Sequence, residues 1–204
     1  MTMTTAAAHR APRTLARFAQ AAILVAAVAD VFREVAVRNR HLHPTDASRH
    51  DSGFASIVFV YLMTLAVVLF LVWLARSRHN AQALSPGASL PGRVWTIGAW
   101  FVPGVHFFVP RGFVLGIGRA SSPAWGQRRE TALVNLWWGA WVGHAAVLTV
   151  GGRVAPGSMT VLVAASGLMC VAAVLLGVVI ERVTALQSTA LGAAVPVEPL
   201  GETV

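Results

Sequence analysis

The chain has 204 residues, 56% of them hydrophobic and only 12% charged, with a formal charge of +8. A soluble domain carries about twice that charged share, so a water-soluble globular protein is excluded as the reading of the whole chain. No lysine is present for a Schiff base, and the single cysteine, Cys170, excludes an intrachain disulfide and a cysteine-based metal cluster.

In chain order, residues 1–14 are small, polar and basic and read as a mobile N-terminus. Residues 15–187 read as a single membrane domain. The first span, about 17–37, is apolar up to Asp30 and then carries Arg33 and Glu34. Its basic start and Ala27-Val28-Ala29 also fit a signal peptide cleaved after Ala29. An uncleaved signal anchor is preferred, because the helical pattern continues to Val37 and Asp30 can pair with Arg33 at i, i+3 near the outer membrane face. A polar loop, 38–53, follows. The second span, 54–76, holds a run without charge, proline or glycine from Phe54 to Ala75; a hydrocarbon core of about 30 Å needs roughly 20 helical residues.

Ser85-Pro86-Gly87 ends that helix. The segment 93–121 is apolar yet contains Pro103, Pro110, Arg111 and several glycines. Two more spans, 131–150 and 159–182, are joined by a Gly/Pro turn and are therefore antiparallel neighbours. The tail, 188–204, reads as disordered. The expected fold is an all-α polytopic membrane bundle of four transmembrane helices plus a Trp/Pro-rich interfacial or re-entrant element.

Arginine counting orients this bundle. With both termini inside, eleven arginines are cytoplasmic, and five (Arg33, Arg38, Arg40, Arg49, Arg153) are outside. If 94–118 spanned as a fifth helix, that bias would vanish, so the segment is placed at the cytoplasmic face. The all-arginine, Ala/Val/Gly-rich composition has the bias of a high-GC bacterium. The expected location is the bacterial cytoplasmic (plasma) membrane, multi-pass, with cytoplasmic termini.

The stretch from Trp73 to Trp141 carries ordered motifs. Trp73, Arg76, Arg78 and Asn80 follow the second span. Trp95, Gly98, Trp100, Phe101, Val102 and Pro103 form a block, with Pro110 seven residues on and Arg119-Ala120-Ser121 at its end. Trp137, Trp138 and Trp141 enrich the third span, and Val183-Thr184-x-x-Gln187 closes the fourth. With these motifs the chain resembles the bacterial membrane-protein family catalogued as domain of unknown function 4328. It departs from that pattern at His106, where an asparagine is usual, and at Gly116 and Gly118, where a glutamate and a tryptophan are usual. The resemblance implies a multi-span membrane protein and no known activity.

Four features are candidates for chemistry. Prolines free backbone carbonyls that hydrocarbon cannot satisfy, so the Trp/Pro segment must face water, headgroups or a protein-lined cavity. Arg76, Asn80, Trp95, Trp100, Pro103, His106, Pro110, Arg111 and Arg119 are the candidates for a cytoplasm-facing pocket that takes an anionic lipid headgroup. An aromatic belt with topology-setting arginines is the plainer reading.

Asn135, Gly139 and Gly143 make one stripe and Ser166, Cys170, Ala173 and Gly177 another, both expected as close-packing seams. Asn135, His144 and Glu181 are the candidate bundle-interior polar groups, with Arg76 or Arg128 as partner for Glu181. His41, His43, Asp46, His50 and Asp51 cluster in the outer loop, where a solvated loop is preferred to a metal site.

No nucleophile motif, phosphate loop or paired-metal spacing is present, so no catalytic residue, cofactor or enzyme activity is expected. The expected function is a non-catalytic scaffold or binding protein. Its partners would be the bilayer, anionic headgroups, a partner membrane protein or a second copy of itself, and not nucleic acid. The alternative is a small transporter or channel-type subunit with a polar cavity between spans.

Overall fold

The computed structural model describes residues 11–122, 125 and 128–193. Within them, α1 runs Arg13–Leu42 and α2 Asp46–Leu84. The short α3, Arg93–Gly98, precedes a 3₁₀ turn at Val105–Phe107, and α4 covers Val109–Ser121. Helix α5, Arg128–Ala146, widens into a π turn at Val147–Gly151 and ends through the single-turn α6, Gly152–Val154. Helix α7 runs Met159–Ala193. Four of these segments, Arg13–Leu42, Asp46–Leu84, Arg128–Val154 and Met159–Ala193, are long and apolar enough to cross a membrane. The chain is thus an all-α bundle of four such helices, as the sequence predicts.

The outer surface agrees with that reading. Leu24, Val28, Ile57, Val60, Val163 and Val174 are all exposed on the long helices. Such apolar patches are a liability in water and a requirement in lipid. Inside, Ala16, Ala19, Ala26 and Ala27 of α1 are buried, and their small size lets the helix backbones approach closely.

Several expectations are corrected. The polar stretch 38–53 is mostly helical. Helix α1 persists to Leu42, and α2 begins at Asp46 because Thr45 and Ser48 form a capping box, with Ser48 N donating to Thr45 Oγ1 at 3.1 Å and Thr45 N to Ser48 Oγ at 3.0 Å. Residues 188–193 continue α7. The expected mobility of residues 1–10 and disorder of 194–204 lie outside the described residues. On the first small-residue stripe, Asn135 and Gly139 are exposed and only Gly143 approaches a neighbour, Leu168. On the second, Ser166 and Ala173 are buried but Cys170 is exposed.

The Trp/Pro segment is a hairpin with both ends at one end of the bundle. On the way in, Pro91 O accepts from Arg78 Nε at 2.6 Å; on the way out, Ala120 O accepts from Ser85 Oγ at 2.9 Å. Its tip lies deep. Trp100 packs edge-on to Phe70 (centroids 5.2 Å apart) and to Trp138 (6.0 Å). Phe70 is some 15 residues before Ser85, about 20 Å along α2 at 1.5 Å per residue.

Gly104, at φ 79°, turns the chain at this tip. Trp138 Nε1 donates to Phe107 O at 3.0 Å, satisfying a carbonyl of the broken backbone. The element is therefore re-entrant relative to the bundle, and the straight fifth helix is excluded by geometry.

Several of the motif residues meet in a buried latch at the same end. Trp73 Nε1 donates to Thr184 Oγ1 at 3.0 Å. Gln187 Nε2 donates to Ser77 O at 2.8 Å and to Ser121 Oγ at 2.9 Å, and Asn80 Nδ2 donates to Gln187 Oε1 at 3.4 Å. One fully buried glutamine thus ties α2, α4 and α7 together.

Two outcomes follow from this geometry. Gln187→Ala should lower stability by about 1–3 kcal/mol, the cost of unsatisfied buried partners, in detergent unfolding, while exposed Thr189→Ala should not. In a Cys170→Ser background, single cysteines at Arg93 and Arg119 should label from the same membrane face, and one at His43 from the opposite face.

Candidate functional site

The headgroup candidates do not converge. Arg76, Trp95, Pro103 and Arg119 are exposed at separate points, and Pro110 is buried at the start of α4. Asn80 belongs to the latch. Trp100 lines an apolar cavity of about 130 Å³ between the long helices. His106 Nδ1 lies 3.3 Å from Val102 O, in its own turn. Arg111 Nε donates to Asn135 Oδ1 at 2.7 Å, so that asparagine holds the hairpin instead of facing the bundle interior. Gly118, where the family resemblance implies a tryptophan, is covered by Trp125, whose indole occupies the place a Cβ would take.

Glu181 is also reassigned. Its partner is neither Arg76 nor Arg128 but Arg17 of α1, at 3.1 Å, with Gln20 Nε2 adding a contact at 3.3 Å. Both charged side chains are substantially exposed, so the pair orients α1 against α7 and contributes little energy.

The densest polar chemistry lies toward the other end, where α1, α5 and α7 meet. The Asp30–Arg33 pairing predicted by their spacing is present, with Arg33 Nε and Nη2 donating to Asp30 Oδ1 at 2.9 and 2.6 Å. The surroundings are what one helix could not reveal. Asp30 is fully buried. His144 of α5 brings Nε2 to 3.6 Å from Asp30 Oδ2, while its Nδ1 lies 2.9 Å from Ala165 O of α7. Glu34, one turn beyond Asp30, accepts from Ser166 Oγ at 2.6 Å through Oε2. Arg33 also sits 4.8 Å from the ring centroid of Phe59 of α2, a cation–π contact. Among the described residues Asp30, Glu34 and His144 form the set able to hold a metal ion. The predicted His144 is thus interior; its acidic companions come from a different helix.

Above this cluster opens a vestibule of about 580 Å³. Arg33 and Glu34 form its floor. Arg38, Arg40, His41 and Arg49 stand around it, and Val37, Leu148, Val161 and Leu162 supply apolar wall. Arg38 Nε donates to Gly157 O at 3.1 Å, fastening α1 to the 155–158 turn. The π turn begins three residues after His144 and carries Leu148 into this wall; such widened turns are frequent at functional sites. Of the five outer-loop residues proposed as a cluster, His41 lines the vestibule, whereas Asp46 pairs with Arg49 at 3.2 Å.

The fold and site define a four-helix membrane-type bundle with a re-entrant hairpin at one end and a basic vestibule over a buried polar cluster at the other. The chain belongs to the family described as domain of unknown function (DUF4328), which it matches over residues 38–194. No curated protein and no solved structure is significantly similar to it. His144 and Ser166 fall inside the family match, and Asp30, Arg33 and Glu34 fall before it.

Removing the guanidinium in Arg33→Met would leave Asp30 Oδ1 buried without its donors. A loss of about 1.5–3 kcal/mol is expected, the value of hydrogen bonds to charged groups, against about 1 kcal/mol for Arg38→Ala. Unfolding in a common detergent checks both.

Proposed function

We propose that the protein is a non-catalytic membrane binding protein that takes an anionic amphiphile into the vestibule. The observation that carries this reading is the combination of four arginines with aliphatic wall around one cavity of about 580 Å³. Guanidinium groups recognise phosphate or carboxylate by paired hydrogen bonds, and the aliphatic wall suits the adjoining chain. Glu34 is the lone acid of the lining, so the basic groups dominate the field there.

The distribution of arginine supports the same reading. With cytoplasmic termini the vestibule faces outward, where short translocated segments are normally poor in arginine. Four of the five outward arginines nevertheless line this cavity. Topology disfavours them there; Arg33, Arg38 and Arg49 also hold Asp30, Gly157 O and Asp46, and a ligand would draw on Arg40 and on the remaining donors of the other three. The Trp/Pro hairpin is the weaker candidate for the headgroup site, since Arg111 is engaged by Asn135 and Trp100 by the aromatic cluster.

A second reading, a transport or channel-type subunit, draws on His144 meeting Asp30 in the interior at 3.6 Å.

In nanodiscs containing phosphatidylglycerol and phosphatidylcholine, native mass spectrometry should find anionic lipid retained preferentially. Arg40→Ala with Arg49→Ala should weaken that retention about 10–30-fold, at about 1 kcal/mol per arginine. Retention unchanged in this variant but lost in Arg76→Ala with Arg119→Ala would move the site to the hairpin and overturn the reading.

A further inference from the structure

We propose that Asp30, Glu34 and His144 bind one divalent transition-metal cation of zinc type, with an open coordination position toward the vestibule. This goes beyond the amphiphile reading and stands on a different observation, the way each of the three side chains is held.

Each has two polar atoms, one of which is fixed by a neighbour. Asp30 Oδ1 accepts from Arg33, Glu34 Oε2 accepts from Ser166, and His144 Nδ1 meets Ala165 O. A carbonyl can only accept, so Nδ1 donates to it, and Nε2 is the ring atom left to ligate a metal, which displaces any proton there. Of the other atoms, Asp30 Oδ2 faces His144 Nε2, and Glu34 Oε1 lies 3.8 Å from Arg33 Nη2. Asp30 Oδ2 and Glu34 Oε1 are buried with no hydrogen-bond partner. Nε2 stands 3.6 Å from Asp30 Oδ2, and one ligand atom of each residue lies within 4.8 Å of the others. Buried carboxylate oxygens without hydrogen bonds, gathered beside an imidazole, are costly as they stand. A cation between them removes that cost.

The dimensions fit zinc-type coordination. Bonds of about 2.0–2.2 Å in tetrahedral geometry separate neighbouring ligand atoms by roughly 3.3–3.5 Å. The 3.6 Å pair is already near that value; the wider separations close by about 1 Å through side-chain rotation. One imidazole with two carboxylates suits zinc and its neighbours, whereas calcium takes six or more oxygens. Arg33, Ser166 and Ala165 O are the outer-shell partners that such ligands require.

The charges are also compatible. With a cation bound, the two carboxylates of Asp30 and Glu34 would be set against the single charge of Arg33. Arg33 and Glu34 also line the vestibule, so the fourth position opens toward it, although a cation entering that way must pass the arginines that dominate its field. Because both carboxylates precede the family match and the histidine lies within it, the site exists only where α1 docks on α5 and α7.

The full chain in detergent, stripped with EDTA, is titrated with Co²⁺ and then with Zn²⁺. One Co²⁺ per chain is expected, with the visible absorption of tetrahedral cobalt, displaced by Zn²⁺. Asp30→Asn and Glu34→Gln should abolish the bands while keeping helical circular dichroism and elution volume. Ser166→Ala should weaken binding about 10–100-fold, as outer-shell losses do. His41→Ala with His43→Ala should bind as the parent does, and so should Arg40→Ala with Arg49→Ala, which reports only on the amphiphile.

Absence of bound Co²⁺ overturns the proposal, as do bands that survive both carboxamide substitutions or vanish with the His41/His43 pair. Should Asp30→Asn fail to fold, Glu34→Gln and Ser166→Ala decide the matter.

Discussion

Every polar group that a chain carries into hydrocarbon must find its partner within the protein, because no water is there to supply one. This constraint organises both ends of the bundle. At one end it produces the latch, in which Gln187 joins Ser77, Asn80 and Ser121 across three helices. At the other it draws Asp30, Arg33, Glu34, His144 and Ser166 into one cluster. Between them the helices meet through alanines and aromatic rings, and present valine and leucine outward.

The two ends nevertheless differ in kind. In the latch Trp73, Asn80 and Gln187 are joined by hydrogen bonds and seat the hairpin, although Ser77 Oγ there is buried without one. In the cluster, Asp30 Oδ2 and Glu34 Oε1 are left without hydrogen bonds although both are buried.

The hairpin shows how proline and glycine act when embedded among spans. Pro103, Gly104 and Pro110 prevent a continuous helix, and the resulting turn would expose backbone to lipid if it stood alone. Trp100, Trp138 and Trp141 pack along one side of it and Trp138 donates to Phe107 O, while residues 101–104 at the tip stay exposed. Read from sequence, these tryptophans suggest an interfacial belt. In the fold, Trp137 and Trp138 are buried, Trp100 is half-buried against Phe70, and Trp95 is exposed.

The sequence by itself determined what depends on neighbouring residues. The four long helices, the interruption between the second and third, and the Asp30–Arg33 pair are all legible, because hydrophobic length, proline placement and i, i+3 spacing are local properties. Tertiary structure decided everything that joins distant positions. Asp30 lies 114 residues from His144, and Glu34 lies 132 from Ser166, separations at which no periodicity survives. The face each helix turns inward was equally hidden, and so Gly139 and Asn135 point outward while Glu181 takes Arg17 as its partner. A nearly all-apolar helix has no polar face to declare its orientation; only the packing of its neighbours assigns one.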